Sequence, residues 1–341
     1  MTVTTPPVDH DAIARAVAVL RRGGLVALPT ETVYGLAADA TNEAAVRSIF
    51  AAKGRPADHP VIVHVTGADA IEEWSRDAPP AANALAQAFW PGPLTLVLKR
   101  STRVSDVITG GQDTVGLRAP GHPWAQAVLR TFGRAVAAPS ANRFGRVSPT
   151  TADHVRADLG VKPDGAVDLI LDGGPCPVGI ESTIVDLSGA RPRLLRQGTI
   201  SCSDLERVLG VDVDVSDAGA PRVSGSLERH YAPGTPLEVV STGALSARLQ
   251  LACKETLAVL APLSVLDAWP RERAPLLALA APESADDYAR MLYANLRRLD
   301  AARADRILIV APPTGERWAP IHDRLRRAQA GSRLETGADP S

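Results

Sequence analysis

The 341-residue chain is short of aromatics, cysteine and net charge, and each shortage excludes a class of protein. Phe, Trp and Tyr make up 4% of residues, so any core must be built from Ala, Val, Leu and Ile. Three cysteines, Cys176, Cys202 and Cys253, form no CxxC pair and do not suit a disulfide framework or a zinc site. No basic segment leads into an apolar run near the start, so the sequence predicts no signal peptide and a reducing, cytoplasmic location. No run of about twenty apolar residues occurs, which predicts no membrane-spanning helix. The formal net charge is −1, and the short clusters Arg297-Arg298 and Arg326-Arg327 read as solvated helix faces. A protein that grips a duplex along its backbone carries a basic stripe, and none is present. A local pocket for a small anion stays compatible with this charge.

The common catalytic signatures are missing too. Neither a GxxxxGK(S/T) loop nor a GxGxxG run is found, which speaks against a P-loop kinase or a dinucleotide-binding dehydrogenase. HExxH and GxSxG are also absent.

What remains is an ordinary globular composition, 45% apolar and 22% charged, with length enough for two cores. Asp9 to Leu20 places Ile13, Val17 and Leu20 on one face and stops at Gly23-Gly24, which predicts a helix. Leu25 to Leu28 predicts a first strand, Asn42 to Lys53 a second helix, and Pro60 to Val65 a short buried strand. Strands and helices are intermixed up to Leu209, with some strands back to back, which predicts a mixed sheet. Residues 210–235, rich in Gly, Pro, Ser and Asp, read as a linker. Residues 236–341 alternate more regularly, as in a small, largely parallel α/β domain, with "TLAVLAP" and "LLALAA" as successive strands.

Polar residues gather at strand ends, where α/β sheets place ligands. "LPTETVYGLAADA" sets Thr30, Glu31, Thr32 and Tyr34 at the mouth of the first strand. "KGRPADHP" brings Lys53 and Arg55 to a helix end, where cations complement the dipole or clamp a phosphate. "PSANRFGRVSP" supplies Ser140, Asn142 and Ser148, which suit turns and caps as well as an anion. Arg118 in "GLRAPGHP" needs a counter-anion, either a structural carboxylate or a ligand. "GIESTIVDL" and "LLRQG" add Ser182 and Arg196, and a lone histidine such as His64 in "VIVHV" is commonly a satisfied core residue.

The order of these segments, "PTETVYGL", "KGRP", "HPVIVH", "WPGPLTLVL", "VGLRAP", "PSAN", "GRVSPT", "GIESTIVD" and "LLRQG", resembles the YrdC-like domain of the threonylcarbamoyl-AMP synthase family. The resemblance runs from about Ala12 to Gly198, and the part after "HYAP" is similar to the extra domain of longer members. It implies residues 1–209 as a YrdC-like catalytic domain with a twisted mixed sheet and a large concave face. It implies 210–235 as a linker or lid, and 236–341 as a smaller Rossmann-like α/β domain. The linker lacks the Ser-Pro-Gly-Met opening common in relatives, while "HYAP" is kept.

The implied activity is synthesis of threonylcarbamoyl-adenylate and pyrophosphate from L-threonine, bicarbonate and ATP with Mg²⁺. The product would pass to a tRNA-modifying transferase complex. Carried over residue by residue, Thr32, His64, Arg118, Ser182 and the Ala138 backbone would hold threonine. Lys53, Arg55, His59, Thr114, Ser140, Asn142, Ser148 and Arg196 would contact ATP, and Tyr231 would fold over the nucleotide. Tyr34 would line the threonine pocket, Gly35 would permit close backbone approach, and the role of Glu31 is left open. The competing reading is a double-stranded RNA or tRNA-binding module of the same fold. A carbamoyl-phosphate enzyme of hydrogenase maturation is disfavoured by the missing zinc-finger cysteines, and a sensing role for the second domain stays open as an addition.

Overall fold

The computed structural model describes residues 5–215, 219–225, 227–251 and 254–332; Cys253 lies outside them. Two compact units form, Met1–Phe144 with Ser148–Ser226, and Gly145–Val147 with Leu227–Ser341.

The first unit is built on nine strands: β1 (Val26–Leu28), β2 (Gly35–Asp39), β3 (Ile62–His64), β4 (Leu94–Lys99), β5 (Thr114–Arg118), β6 (Val136–Ala137), β7 (Leu169–Ile170), β8 (Thr183–Asp186) and β9 (Arg193–Arg196). Their order is β7-β1-β2-β6-β3-β5-β4-β8-β9. The sheet is mixed, as the sequence predicts: β1 and β2 run antiparallel, β3 and β5 parallel, β4 and β5 antiparallel, β4 and β8 parallel. The apolar segment after Gly35 is the second arm of a hairpin, with Leu28 opposite Gly35. Every residue of β1 and β2 is buried, which requires cover on both faces and explains their near-continuous apolar runs.

The cover comes from capped amphipathic helices. His10–Arg21 begins at Asp9, whose carboxylate accepts from the Asp11 and Ala12 amides. Its Ile13, Val17 and Leu20 pack with Trp124, Val128 and Leu129 of the Pro123–Phe132 helix against Val26, Leu28 and Ala37. Glu43–Lys53 starts at Asn42 and ends at Gly54, a left-handed residue. It contributes Val46, Ile49 and Phe50 to a second core shared with Leu36, Val63, Leu96 and Leu117. The ends of these elements fix the places of Lys53, His64 and Arg118.

The second unit has four strands, β10 (Leu237–Val240), β11 (Leu257–Ala261), β12 (Leu277–Ala280) and β13 (Arg306–Val310), ordered β10-β13-β11-β12 with every pairing parallel. The sequence predicts β11 and β12 as successive strands with nothing between them. A short helix, Leu263–Asp267, lies between them, because parallel neighbours need a crossover. Val240, Leu249, Val259 and Leu308 form the core on one side of this Rossmann-like sheet. Among the described residues no helix is long and apolar enough to cross a membrane.

Candidate active site

The hairpin mouth between β1 and β2 owes its shape to Thr30. Its hydroxyl donates to the Val33 carbonyl at 2.5 Å, receives the Val33 amide at 3.2 Å and lies 3.0 Å from the Thr32 hydroxyl. Thr32 is thereby fixed, fully buried, at the tip. The hairpin zips to the segment after β6: the Leu36 amide donates to the Pro139 carbonyl at 2.7 Å, and the Ala141 amide to the Tyr34 carbonyl at 2.8 Å. A Cβ on Gly35 would stand 3.3 Å from the Ala138 Cβ, so the glycine permits this approach. Tyr34 is fully buried. Its ring belongs to the core and its hydroxyl donates to the Gly174 carbonyl at 2.7 Å, which satisfies a buried phenol.

Sheet register assembles the next group. Parallel pairing of β3 with β5 sets His64 beside Arg118, and the antiparallel pair Leu96–Leu117 makes Thr95 the next neighbour of Arg118. Register partners point to one face, so these side chains share a row. Arg118 is held on two sides, by Glu31 (Nη2 to Oε1, 2.6 Å) and by the Gly92 carbonyl (Nε, 3.3 Å). Its Nη1 has no hydrogen-bond partner among the described residues. The Ala138 amide is spent on the Ile62 carbonyl at 3.0 Å, which leaves the Ala138 carbonyl as the backbone group to consider.

Cations gather on the neighbouring strand ends. Lys53 Nζ donates to the Ser140 and Asn142 carbonyls at 2.5 and 2.6 Å, drawing the post-β6 turn to the Glu43–Lys53 helix. Arg55 Nη2 donates to the Pro60 carbonyl at 2.8 Å, and its guanidinium lies over Phe144, which also meets the His59 ring edge-on. Lys53 and Arg55 enter no ion pair among the described residues. Arg196 reaches the Ser182 carbonyl and hydroxyl, both at 3.0 Å, and the Ser182 hydroxyl lies 2.8 Å from that of Thr95. Ser148 donates to Glu181 at 2.6 Å, one residue before Ser182. Thr114 lines a narrow cleft with Pro60, Thr95 and Ser224.

Burial of so many cations shifts their equilibria. Desolvation, then Arg55, holds the Lys53 ammonium well below the ordinary lysine range. Desolvation pushes Arg55 down to about 10, and burial followed by Arg55 lowers His59. Such crowding costs folding energy and is retained where an anion offsets it.

His64 is the sharpest case: desolvation, then Arg118, pushes it down to about 3. Between that value and an unfolded value of about 6.5, only the unfolded chain takes up this proton, so stability present above pH 6.5 is lost as pH falls. Urea unfolding at pH 7 and pH 5 should show His64→Gln losing about 2 kcal/mol less than the wild type over that interval. An equal loss in both would mean that His64 is not neutral in the fold.

The family model described as "Telomere recombination" (Sua5_yciO_yrdC) matches residues 18–198, and "Threonylcarbamoyl-AMP synthase, C-terminal domain" matches 200–330. The threonylcarbamoyl-AMP synthase of Pyrococcus abyssi is 38% identical over 333 residues, covering 94% of this chain and 95% of its own. That of Bacillus subtilis is 45% identical over 232 residues, covering 67% and 66%. The crystal structure of P. abyssi Sua5 complexed with L-threonine superposes with a TM-score of 0.85 at 35% identity over 96% of both chains. The chain belongs to the threonylcarbamoyl-AMP synthase family. It is of the two-domain form.

Of the residues carried over from that family, all but one lie in the first unit. Thr32, His64, Arg118, Ala138 and Ser182 are tied together by the hairpin zip and the sheet row. Lys53, Ser140 and Asn142 form one hydrogen-bonded group; Thr114 lines a cleft with Ser224, to which Arg55 and Arg196 donate, and His59 shares the Phe144 ring with Arg55. Tyr231 is the exception. It is fully buried in the second unit, stacked on Tyr293 at 5.5 Å with the Arg324 guanidinium 5.5 Å from its ring. Its left-handed backbone (φ 60°) turns the aromatic body into that core. The linker residue that meets the family's arginines is Ser224. Its carbonyl accepts from Arg196 at 2.8 Å, and its hydroxyl lies 3.3 Å from Arg55 and 3.0 Å from the Pro60 carbonyl.

Sequence reasoning missed Ser224 and Thr95. A threonine inside the apolar run "LTLVL" was a usable signal for Thr95. Ser224, in a segment without periodicity, had none.

Proposed function

We propose that this family member is an L-threonylcarbamoyladenylate synthase acting on L-threonine, bicarbonate and ATP. The observation that carries the reading is the pairing of two recognition chemistries along adjacent strand ends. Arg118 keeps Nη1 available for a carboxylate, and Lys53 and Arg55, buried without carboxylates, stand ready for a polyphosphate. The threonine nitrogen would attack the carbon of bicarbonate, with loss of water, to give a carbamate. A carbamate oxygen would then attack the α-phosphorus of ATP, and pyrophosphate would leave.

No nucleophilic side chain is required of the protein. Alignment of bound reactants is worth roughly 7–11 kcal/mol, and Lys53, Arg55 and Arg196 would offset charge developing on the triphosphate. Arg118 would orient the threonine carboxylate, with Thr32, Ser182 and the Ala138 carbonyl around the rest of the amino acid. Among the described residues no group of three or more His, Cys, Asp or Glu forms a metal cage. Mg²⁺ would enter with ATP as its complex, its usual mode with nucleotides. The labile product would be handed to a tRNA-modifying transferase complex in the cytoplasm, without stable nucleic-acid binding by this chain. Ser224, bonded to both Arg55 and Arg196, would have to move for nucleotide entry.

Pyrophosphate release from Mg-ATP, with threonine and bicarbonate omitted in turn, tests the reading. Release should require both. Release that persists without threonine would overturn it.

A further inference from the structure

The one buried carboxylate at the hairpin mouth has both oxygens committed. Glu31 Oε1 accepts from Arg118 Nη2 at 2.6 Å, and Oε2 accepts from the Gly121 amide at 2.9 Å. The Glu31 backbone is itself pinned, its carbonyl receiving the Val178 amide at 2.8 Å. The Gly92 carbonyl takes Arg118 Nε at 3.3 Å, and the Gly92 amide in turn donates to the Ala119 carbonyl at 2.8 Å. A guanidinium is planar, so two fixed edges fix the whole plane. The third nitrogen, Nη1, has no hydrogen-bond partner among the described residues.

We propose that Glu31 is a positioning residue for threonine, holding the Arg118 plane so that Nη1 presents to the substrate carboxylate. This rests on the reading of Arg118 as the partner of that carboxylate. Glu31 acts through Arg118 and does not touch the substrate. Because one carboxylate already balances the guanidinium, the pocket gains from threonine mainly through aligned hydrogen bonds. Binding is then sensitive to the angle of the plane, and discrimination among amino acids falls to the neighbouring hydroxyls. Gly121 belongs to the same device, since a Cβ there would lie 3.3 Å from the Pro91 carbonyl and 3.6 Å from the Glu31 carboxyl carbon.

The test uses the full-length protein in the pyrophosphate-release assay with threonine and ATP varied separately. Glu31→Gln keeps the shape but cannot accept from both partners, and should raise the KM for threonine about tenfold while the KM for ATP stays within about twofold. Glu31→Asp keeps the charge, and with it the pairing that supports folding, but draws the carboxylate back by one methylene. It should raise the threonine KM about threefold with ATP again unaffected. A merely structural role would lower thermal stability and move both KM values together, or neither, and either result overturns the proposal. Wild-type dependence on threonine is the control. If the wild type needs no threonine, the functional reading falls; if it does and the variants keep its KM, only the positioning role falls.

Discussion

Arg118→Ala is expected to weaken threonine binding by about two orders of magnitude while changing ATP binding less than about threefold. Hydrogen bonds to charged groups contribute about 1.5–3 kcal/mol each, and the substitution removes the cation that would face the carboxylate. It also strands Glu31, whose side chain is about 11% exposed, without its counter-charge. Stranding one partner of a buried pair costs about 3–5 kcal/mol of stability, so a drop in Tm should accompany the binding loss. The two effects separate in the double variant Arg118→Met with Glu31→Gln, which buries no unpaired charge. It should regain most of the Tm and none of the threonine affinity. Calorimetric titration with threonine and with a non-hydrolysable ATP analogue checks this, and equal losses for the two ligands would remove Arg118 from the amino-acid side of the site.

Lys53→Ala should act on rate. Removing one preorganised donor aimed at developing charge typically costs about 10²–10³ in kcat. The amine also ties the Ser140 and Asn142 carbonyls to the end of a helix, so some loosening of that turn is expected. Lys53→Met refills the volume without the charge and should restore packing but not turnover. Pyrophosphate release beside a circular-dichroism melt distinguishes the two, and a Lys53→Ala protein at full rate would show that the ammonium has no part in the chemistry.

The parts of this architecture written locally were readable in the chain. Helix stops at Gly23-Gly24 and Gly54, the apolar run of β3, and the polar turns after β1 and β6 all follow from neighbours in sequence. The mixed sheet followed from strands placed back to back. Long-range facts were not readable. Whether Tyr34 faces a pocket or the core depends on Gly174, 140 residues away. The counter-ion of Arg118 was an open choice until Glu31, 87 positions earlier, was seen to reach it. Tyr231 could be placed near the linker but not assigned to a core, because its left-handed turn leaves no mark in composition. The short helix between β11 and β12 was hidden by its weak amphipathic pattern over five residues.

The pairing of His64 with Arg118 depends on the phase of two short strands. Side chains alternate sides along a strand, so one inserted or deleted residue in Ile62–His64 would carry the imidazole through to the opposite surface. A frame change within β3 or β5 would therefore take apart the proposed threonine side of the site without altering the identity of either side chain.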